Sequence, residues 1–217
     1  MQFKHVTLDF DGPVAVLRLD HQEVMNAVSM DMLGGLAEAL DTIDEKKAEV
    51  RCIVLTGAGR AFCTGANLQG RNNQKPGKSN AGASLEVGFH PFLRRLRKLH
   101  CPIVTAVNGP AAGAGMSFAL MGERLPAEKA LEWGLVNRVH DDAVLMEETM
   151  KLAHDLANGP TVALSLIRKL YWDSPENSFE EQLNLEFESQ RIAGAAEDFK
   201  EGVTAFLEKR PAKFKGK

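Results

Sequence analysis

Two runs of small residues, each straight after a short apolar segment, constrain this chain more than any other feature. The first, Gly57-Ala-Gly-Arg-Ala-Phe-Cys-Thr-Gly-Ala-Asn-Leu68, follows the strand-like Cys52-Ile-Val-Leu55. The second, Ala106-Val-Asn-Gly-Pro-Ala-Ala-Gly-Ala-Gly-Met-Ser117, leaves the apolar run Pro102 to Val107 and opens what reads as a helix. A short apolar run ended by glycine is consistent with a buried strand. Glycine-rich turns let backbone approach a ligand and aim free N–H groups at it. Strand, glycine turn and helix, repeated, make an α/β pattern. Backbone N–H groups of Ala66 and Ala114 gathered around one point would form an oxyanion hole, the device that stabilises a thioester oxygen as it becomes an enolate. Spacing and composition leave a second reading open, in which both runs are tight strand-to-helix turns packed against their neighbours.

Nucleotide loops fit poorly. Gly113-Ala-Gly115 has Phe118 where a dinucleotide fingerprint needs its third glycine, and no glycine run ends in Gly-Lys-Ser or Gly-Lys-Thr. Around the two runs, Val6, Leu8 and Phe10 alternate with polar residues before Asp11-Gly12-Pro13 and Val14 to Leu19, a β-hairpin signature. Ser29 can cap a helix whose apolar positions are Met32, Leu33, Leu36, Leu40 and Ile43. Gly70 to Gly82 reads as a surface loop, followed by a helix over 84–99 with apolar Val87, Leu93 and Leu96. Its basic set Arg94, Arg95 and Arg97 is either a solvated face or a receiver of phosphates. From Pro126 the chain turns helical: Pro126 to Trp133, then 142–157, 161–171, 178–192 and 198–207, with Leu135 to Val139 strand-like between the first two. Trp133 and Trp172 read as packing residues, and the scattered histidines as core or solvated groups.

The 217 residues are enough for one well-buried domain. A net charge of −3 offers no electrostatic reason to expect nucleic acid or an anionic membrane as partner. Cys52, Cys63 and Cys101 are odd in number and lack metal-ligand spacing, so reduced thiols and no metal are expected. No signal segment and no membrane-length apolar run is visible, which suggests a cytoplasmic protein.

Several stretches in order from end to end carry a resemblance. They are Asn26-Ala27, Val54 to Leu68, Pro102 to Gly115, Ala127-Glu-Lys-Ala-Leu-Glu-Trp-Gly-Leu-Val-Asn-Arg-Val139 and Lys200-Glu-Gly-Val-Thr-Ala-Phe-Leu-Glu-Lys-Arg210. Together they resemble the crotonase superfamily of enoyl-CoA hydratases and isomerases of fatty acid metabolism. The resemblance implies an α/β fold: a ββα spiral core carrying the acyl-CoA site over 1–122, and a mainly helical trimerisation region over 123–217. It implies a homotrimer or homohexamer acting on an acyl-CoA thioester, with no cofactor besides the coenzyme A of the substrate. Ala66 and Ala114 fall where the family places its two oxyanion amides. Val24 and Met25 match the loop along the CoA pantetheine, and Lys209 matches a basic residue that reaches CoA, in some members across a subunit boundary. Gly65, Asn67, Leu68 and Gly113 complete the implied CoA-binding set.

Two departures matter. Ser117 stands where hydratases commonly carry a first catalytic glutamate, and a hydroxyl is no substitute for a carboxylate as general base. After Leu120-Met-Gly122 the chain runs straight into Glu123-Arg-Leu-Pro126, and roughly forty residues of the family pattern, about a strand and two helices, are missing. A deletion of that size removes a core strand, so the sequence reads more readily as one closed up at Gly122 and Glu123. The glycine turn without a following glutamate looks most like the branch of ring-1,2-epoxyphenylacetyl-CoA isomerases, whose acid or base is an aspartate in the missing segment. The two readings are therefore an acyl-CoA hydratase or isomerase, and a crotonase-like CoA-binding or assembly protein without turnover.

Overall fold

The computed structural model describes residues 1–67, 85–113 and 125–217. Ala114, Leu68, Ser117 and the Gly122–Glu123 junction lie outside the described residues, as does the expected loop from Gly70 to Gly82. Five strands form one sheet in chain order: β1 (Gln2–Phe3), β2 (Val6–Asp11), β3 (Val14–Leu19), β4 (Cys52–Gly57) and β5 (Ile103–Ala106). The first three are antiparallel, with Asp11 opposite Val14 at the predicted hairpin turn. β4 then joins β3 in parallel, with Leu19 opposite Gly57, and β5 joins β4 with Thr56 opposite Ala106. Parallel pairing needs a crossover, and α1 (Met30–Glu45) supplies the first.

Helix α1 forms as the sequence predicts. The Ser29 hydroxyl accepts from the Met32 N–H at 3.1 Å, and Met32, Leu33, Leu36, Leu40 and Ile43 turn one buried face to the sheet. β3 is buried on both faces because its side chains alternate between two cores. Ala15, Leu17 and Leu19 join α1 on one side; Val14 and Val16 join Val54, Ala106 and the alanines of α4 (Leu145–Ala157) on the other. All three cysteines are free and buried, and burial pushes the Cys52 and Cys101 thiols up to about 12.

The predicted 84–99 helix is described from a π turn over Leu85–Phe89, followed by α2 (His90–Arg97). Leu96 packs on the core, whereas Val87 and Leu93 face outward. The basic set of α2 is largely committed inside the chain. Arg95 reaches Asp41 at 2.6 Å and Asp44 at 2.7 Å, and Arg97 reaches Asp173 at 2.6 Å.

The C-terminal region comprises α3 (Ala127–Glu132), α4, α5 (Thr161–Asp173), α6 (Phe179–Ala195), which a Ser178–Glu181 capping box opens, and α7 (Glu197–Glu208). The strand-like reading of Leu135 to Val139 is corrected: the segment is turn and irregular chain. Gly134, at φ +71°, ends α3, and β5 is an edge strand with no outer partner among the described residues. A short apolar run becomes a strand only where a neighbour takes its backbone groups. Trp133 and Trp172 are corrected too, being 59% and 52% exposed. Tyr171, Phe179, Phe187, Phe206 and Leu207 of the same region are exposed as well.

One side chain ties this region to the sheet. Arg51, just before β4, donates to Thr161 Oγ1 at 3.0 Å, Phe214 O at 3.2 Å and Gly159 O at 2.6 Å. Three acceptors in a fork suit a guanidinium and no other side chain. Arg51→Ala is expected to lower the free energy of unfolding by about 2 kcal/mol, with Arg51→Lys recovering less than half of it. Urea denaturation of the three proteins checks this; a loss below about 0.5 kcal/mol would mean that water replaces the guanidinium.

Candidate active site

The two glycine turns leave the C-terminal ends of β4 and β5, and the structure brings them together. The later part of the first turn, residues 61–67, pairs along both edges. One edge of it pairs with the chain before α1: the Val28 N–H donates to Gly65 O at 2.7 Å and the Asn67 N–H donates to Val28 O at 2.8 Å. The other edge pairs with the second glycine turn: the Cys63 N–H donates to Pro110 O at 3.2 Å and the Ala112 N–H to Cys63 O at 3.0 Å. Neither rung uses the Ala66 N–H. It points away from Val28 and meets no acceptor among the described residues.

Gly65 makes this geometry possible. Its φ is +97°, and a methyl group on it would stand 3.0 Å from Ala112 O and 3.5 Å from the Gly113 Cα. Gly113 itself lies at φ +53°. The two predicted donor regions, Gly65-Ala66 and Gly113, are thus in backbone contact, with Ala114 next in the chain. Cys63 offers no competing chemistry, since burial raises its thiol and a backbone hydrogen bond from Gly65 offsets this only in part.

Val24 and Met25 join the same neighbourhood. Thr64 donates from its backbone N–H to Met25 O at 3.2 Å, and its hydroxyl lies 3.3 Å from Val24 O and 3.1 Å from Met25 O. Met25 and Asn26 both adopt left-handed backbone, φ +50° and +55°, which costs free energy in a residue with a Cβ and needs support. Asn26 supplies it. Fully buried, it accepts from the His21 N–H at 2.8 Å and donates to Ala58 O at 2.9 Å and Ala61 O at 2.7 Å. Below the loop the His5 and His21 rings stack with centroids 3.6 Å apart. Burial, then the neighbouring His21, holds His5 below the usual histidine range.

Lys209 stands apart in the chain, at the C-cap of α7 with φ +53°. Asn26, Thr64 and Asn108, which the sequence does not single out as site residues, brace these turns through hydrogen bonds. The available signal was asparagine beside the glycine turns, where its amide can substitute for backbone partners. Among the described residues no group of His, Cys, Asp and Glu could hold a metal ion, and no helix is long and apolar enough to cross a membrane.

Comparison with known proteins places these elements in a wider set. The Enoyl-CoA hydratase/isomerase family model matches residues 9–123 and 116–217, in two pieces that meet at the junction where the sequence reading puts the missing segment. The 1,2-epoxyphenylacetyl-CoA isomerase of Escherichia coli K12 is 36% identical over 251 positions, covering 94% of this chain and 95% of the relative. A probable enoyl-CoA hydratase of Rhodobacter capsulatus is 30% identical over 263 positions that take in all of both proteins. That relative therefore carries several tens of residues opposite none of the 217 here. A solved enoyl-CoA hydratase subunit from Geobacillus kaustophilus, 31% identical, superposes with a TM-score of 0.84 over the whole of both chains. An enoyl-CoA hydratase from Bacillus anthracis, at 23% identity, shares the fold with a TM-score of 0.85, covering 98% of this chain and 100% of that one.

Proposed function

Since the chain belongs to the enoyl-CoA hydratase/isomerase family, we propose that it binds an acyl-CoA thioester with the carbonyl oxygen between the backbone amides of Ala66 and Ala114, and hydrates or isomerises the acyl chain. The observation that carries this reading is the Ala66 N–H, which meets no acceptor among the described residues, beside the Gly113 turn. An amide held by rungs on both sides needs no reorganisation when the oxygen gains charge, and each such donor is worth about 3 kcal/mol of transition-state energy. Val24, Met25, Gly65, Asn67, Leu68 and Gly113 line the CoA path, and Lys209 reaches CoA from a neighbouring subunit. The exposed aromatic surface of α5, α6 and α7 is covered in a trimer or a pair of trimers. The assembly works in the cytoplasm. A carboxylate moves the proton, since Ser117 cannot.

A second reading has its own support: the family match breaks at 116–123, and the Rhodobacter capsulatus relative carries several tens of residues opposite none of the 217 here. A chain without them binds acyl-CoA and does not turn it over. Crotonyl-CoA hydration and 3-enoyl to 2-enoyl isomerisation, assayed on protein whose intact mass is measured, separate the two. Turnover of either substrate supports the first reading. A mass of 23.7 kDa with thioester binding and no turnover supports the second.

A further inference from the structure

We infer that Asn108 is a positioning residue that holds the two glycine turns in register at Gly65-Ala66 and Gly113; the inference rests on the oxyanion reading above. Pairing of β4 with β5 ends at Thr56 opposite Ala106. One residue further on, the Asn108 side chain adds its own hold on the Gly57 backbone: its Oδ1 accepts from the Gly57 N–H at 3.0 Å, and its Nδ2 donates to Gly57 O at 2.8 Å. A planar amide with a donor and an acceptor reproduces a strand's rung. The same Nδ2 donates to Gly59 O at 2.9 Å.

Past β5 the main chain leaves β4 and runs beside segment 61–67, where it forms the Cys63–Ala111 bridge, while the Asn108 side chain stays tied to Gly57. Asn108 therefore links the first turn at its start, while that bridge links it near its end. Asn26 reaches the same loop from the other side through Ala58 O and Ala61 O. The loop over 57–61 is fixed by two asparagine amides, one from the CoA-side segment and one from the second glycine turn. Thr56 adds a buried hydroxyl that donates to Ala106 O at 2.9 Å.

The chemistry excludes close substitutes. In Asn108→Asp both donors are lost and a carboxylate faces the Gly57 and Gly59 carbonyl oxygens. Asn108→Ala removes the rung without adding charge. Neither change touches the proposed CoA-binding residues.

The test uses cinnamoyl-CoA, whose absorption band moves to longer wavelength when its thioester carbonyl is polarised. The full-length protein is expected to bind it with a red shift. Asn108→Asp and Asn108→Ala, each first shown to melt cooperatively, are expected to bind within about tenfold of the original affinity and to lose most of the shift. A full shift in either folded variant overturns the inference and leaves the oxyanion reading standing. No shift in the unsubstituted protein overturns that reading and the inference with it. Failure of both variants to fold also overturns the inference, making Asn108 a determinant of folding and not of alignment.

Discussion

Replacing Ala66 by proline is expected to lower the rate of thioester turnover by about 10²–10³-fold while CoA affinity stays within about fivefold. Proline deletes an N–H that meets no acceptor among the described residues, so no hydrogen bond between described residues is lost with it. Both rungs to Val28 use Gly65 O and the Asn67 N–H, and both rungs to the second turn use Cys63. The preceding residue is glycine, which tolerates the restriction that proline imposes on its neighbour. An oxyanion donor acts mainly when the oxygen carries charge, so its loss falls on kcat more than on KM. Ala66→Gly keeps the N–H and is expected to retain activity within a few-fold, which separates loss of the donor from disturbance of the turn. Steady-state kinetics of the three proteins decide it. An Ala66→Pro enzyme with unchanged kcat, or an Ala66→Gly enzyme as impaired as Ala66→Pro, would remove Ala66 from the reaction.

The pattern of what the sequence reveals follows the range of the interactions involved. The hairpin of β2 and β3, the cap and buried face of α1, and the strands β4 and β5 rest on local periodicity and on turn residues, and they form where that periodicity puts them. Ala66 is marked by the small-residue run together with the family resemblance, and the structure adds that its N–H meets no acceptor among the described residues. The pairings of Asn26 and Asn108 are not legible in local periodicity, since most of their partners lie 32 to 52 residues away in the chain. An asparagine amide reads as a turn former until the backbone it pairs with is in place. Leu135 to Val139 has the composition of a strand and pairs with no strand among the described residues. Trp133 and Trp172 have the composition of core residues, yet the surface that would cover them is not supplied by this chain's described residues. Each misreading concerns a partner that periodicity does not report.

Gly57→Ala is the substitution expected to cost the fold most. Gly57 is the last residue of β4, paired with Leu19 on one side and with the Asn108 amide on the other. A methyl group there would be driven into the Ala61 carbonyl oxygen and would stand 2.6 Å from Phe62 O and 2.8 Å from the Phe62 Cα. All three atoms are backbone, so no side chain can swing aside to relieve the clash. Phe62 is itself buried in the core that α1 covers, and Asn26 holds Ala61 in place. Relief therefore means moving the whole 57–66 turn away from β4, breaking the Asn108 rung and carrying Ala66 out of line with Gly113. Overpacking against an immobile neighbour typically costs 1–3 kcal/mol, and the broken hydrogen bonds add to it, so a loss of about 3–5 kcal/mol is expected. Thermal and urea unfolding measure the loss. At permissive temperature the variant's residual fold should bind cinnamoyl-CoA with little red shift. Gly34, on the exposed side of α1 with nothing within 4 Å of an added methyl group, is the matched control: Gly34→Ala is expected to stabilise by a few tenths to about 1 kcal/mol, as alanine does in a helix. If Gly57→Ala and Gly34→Ala unfolded alike, the close approach of the first glycine turn to segment 61–62 would not be what holds the site together.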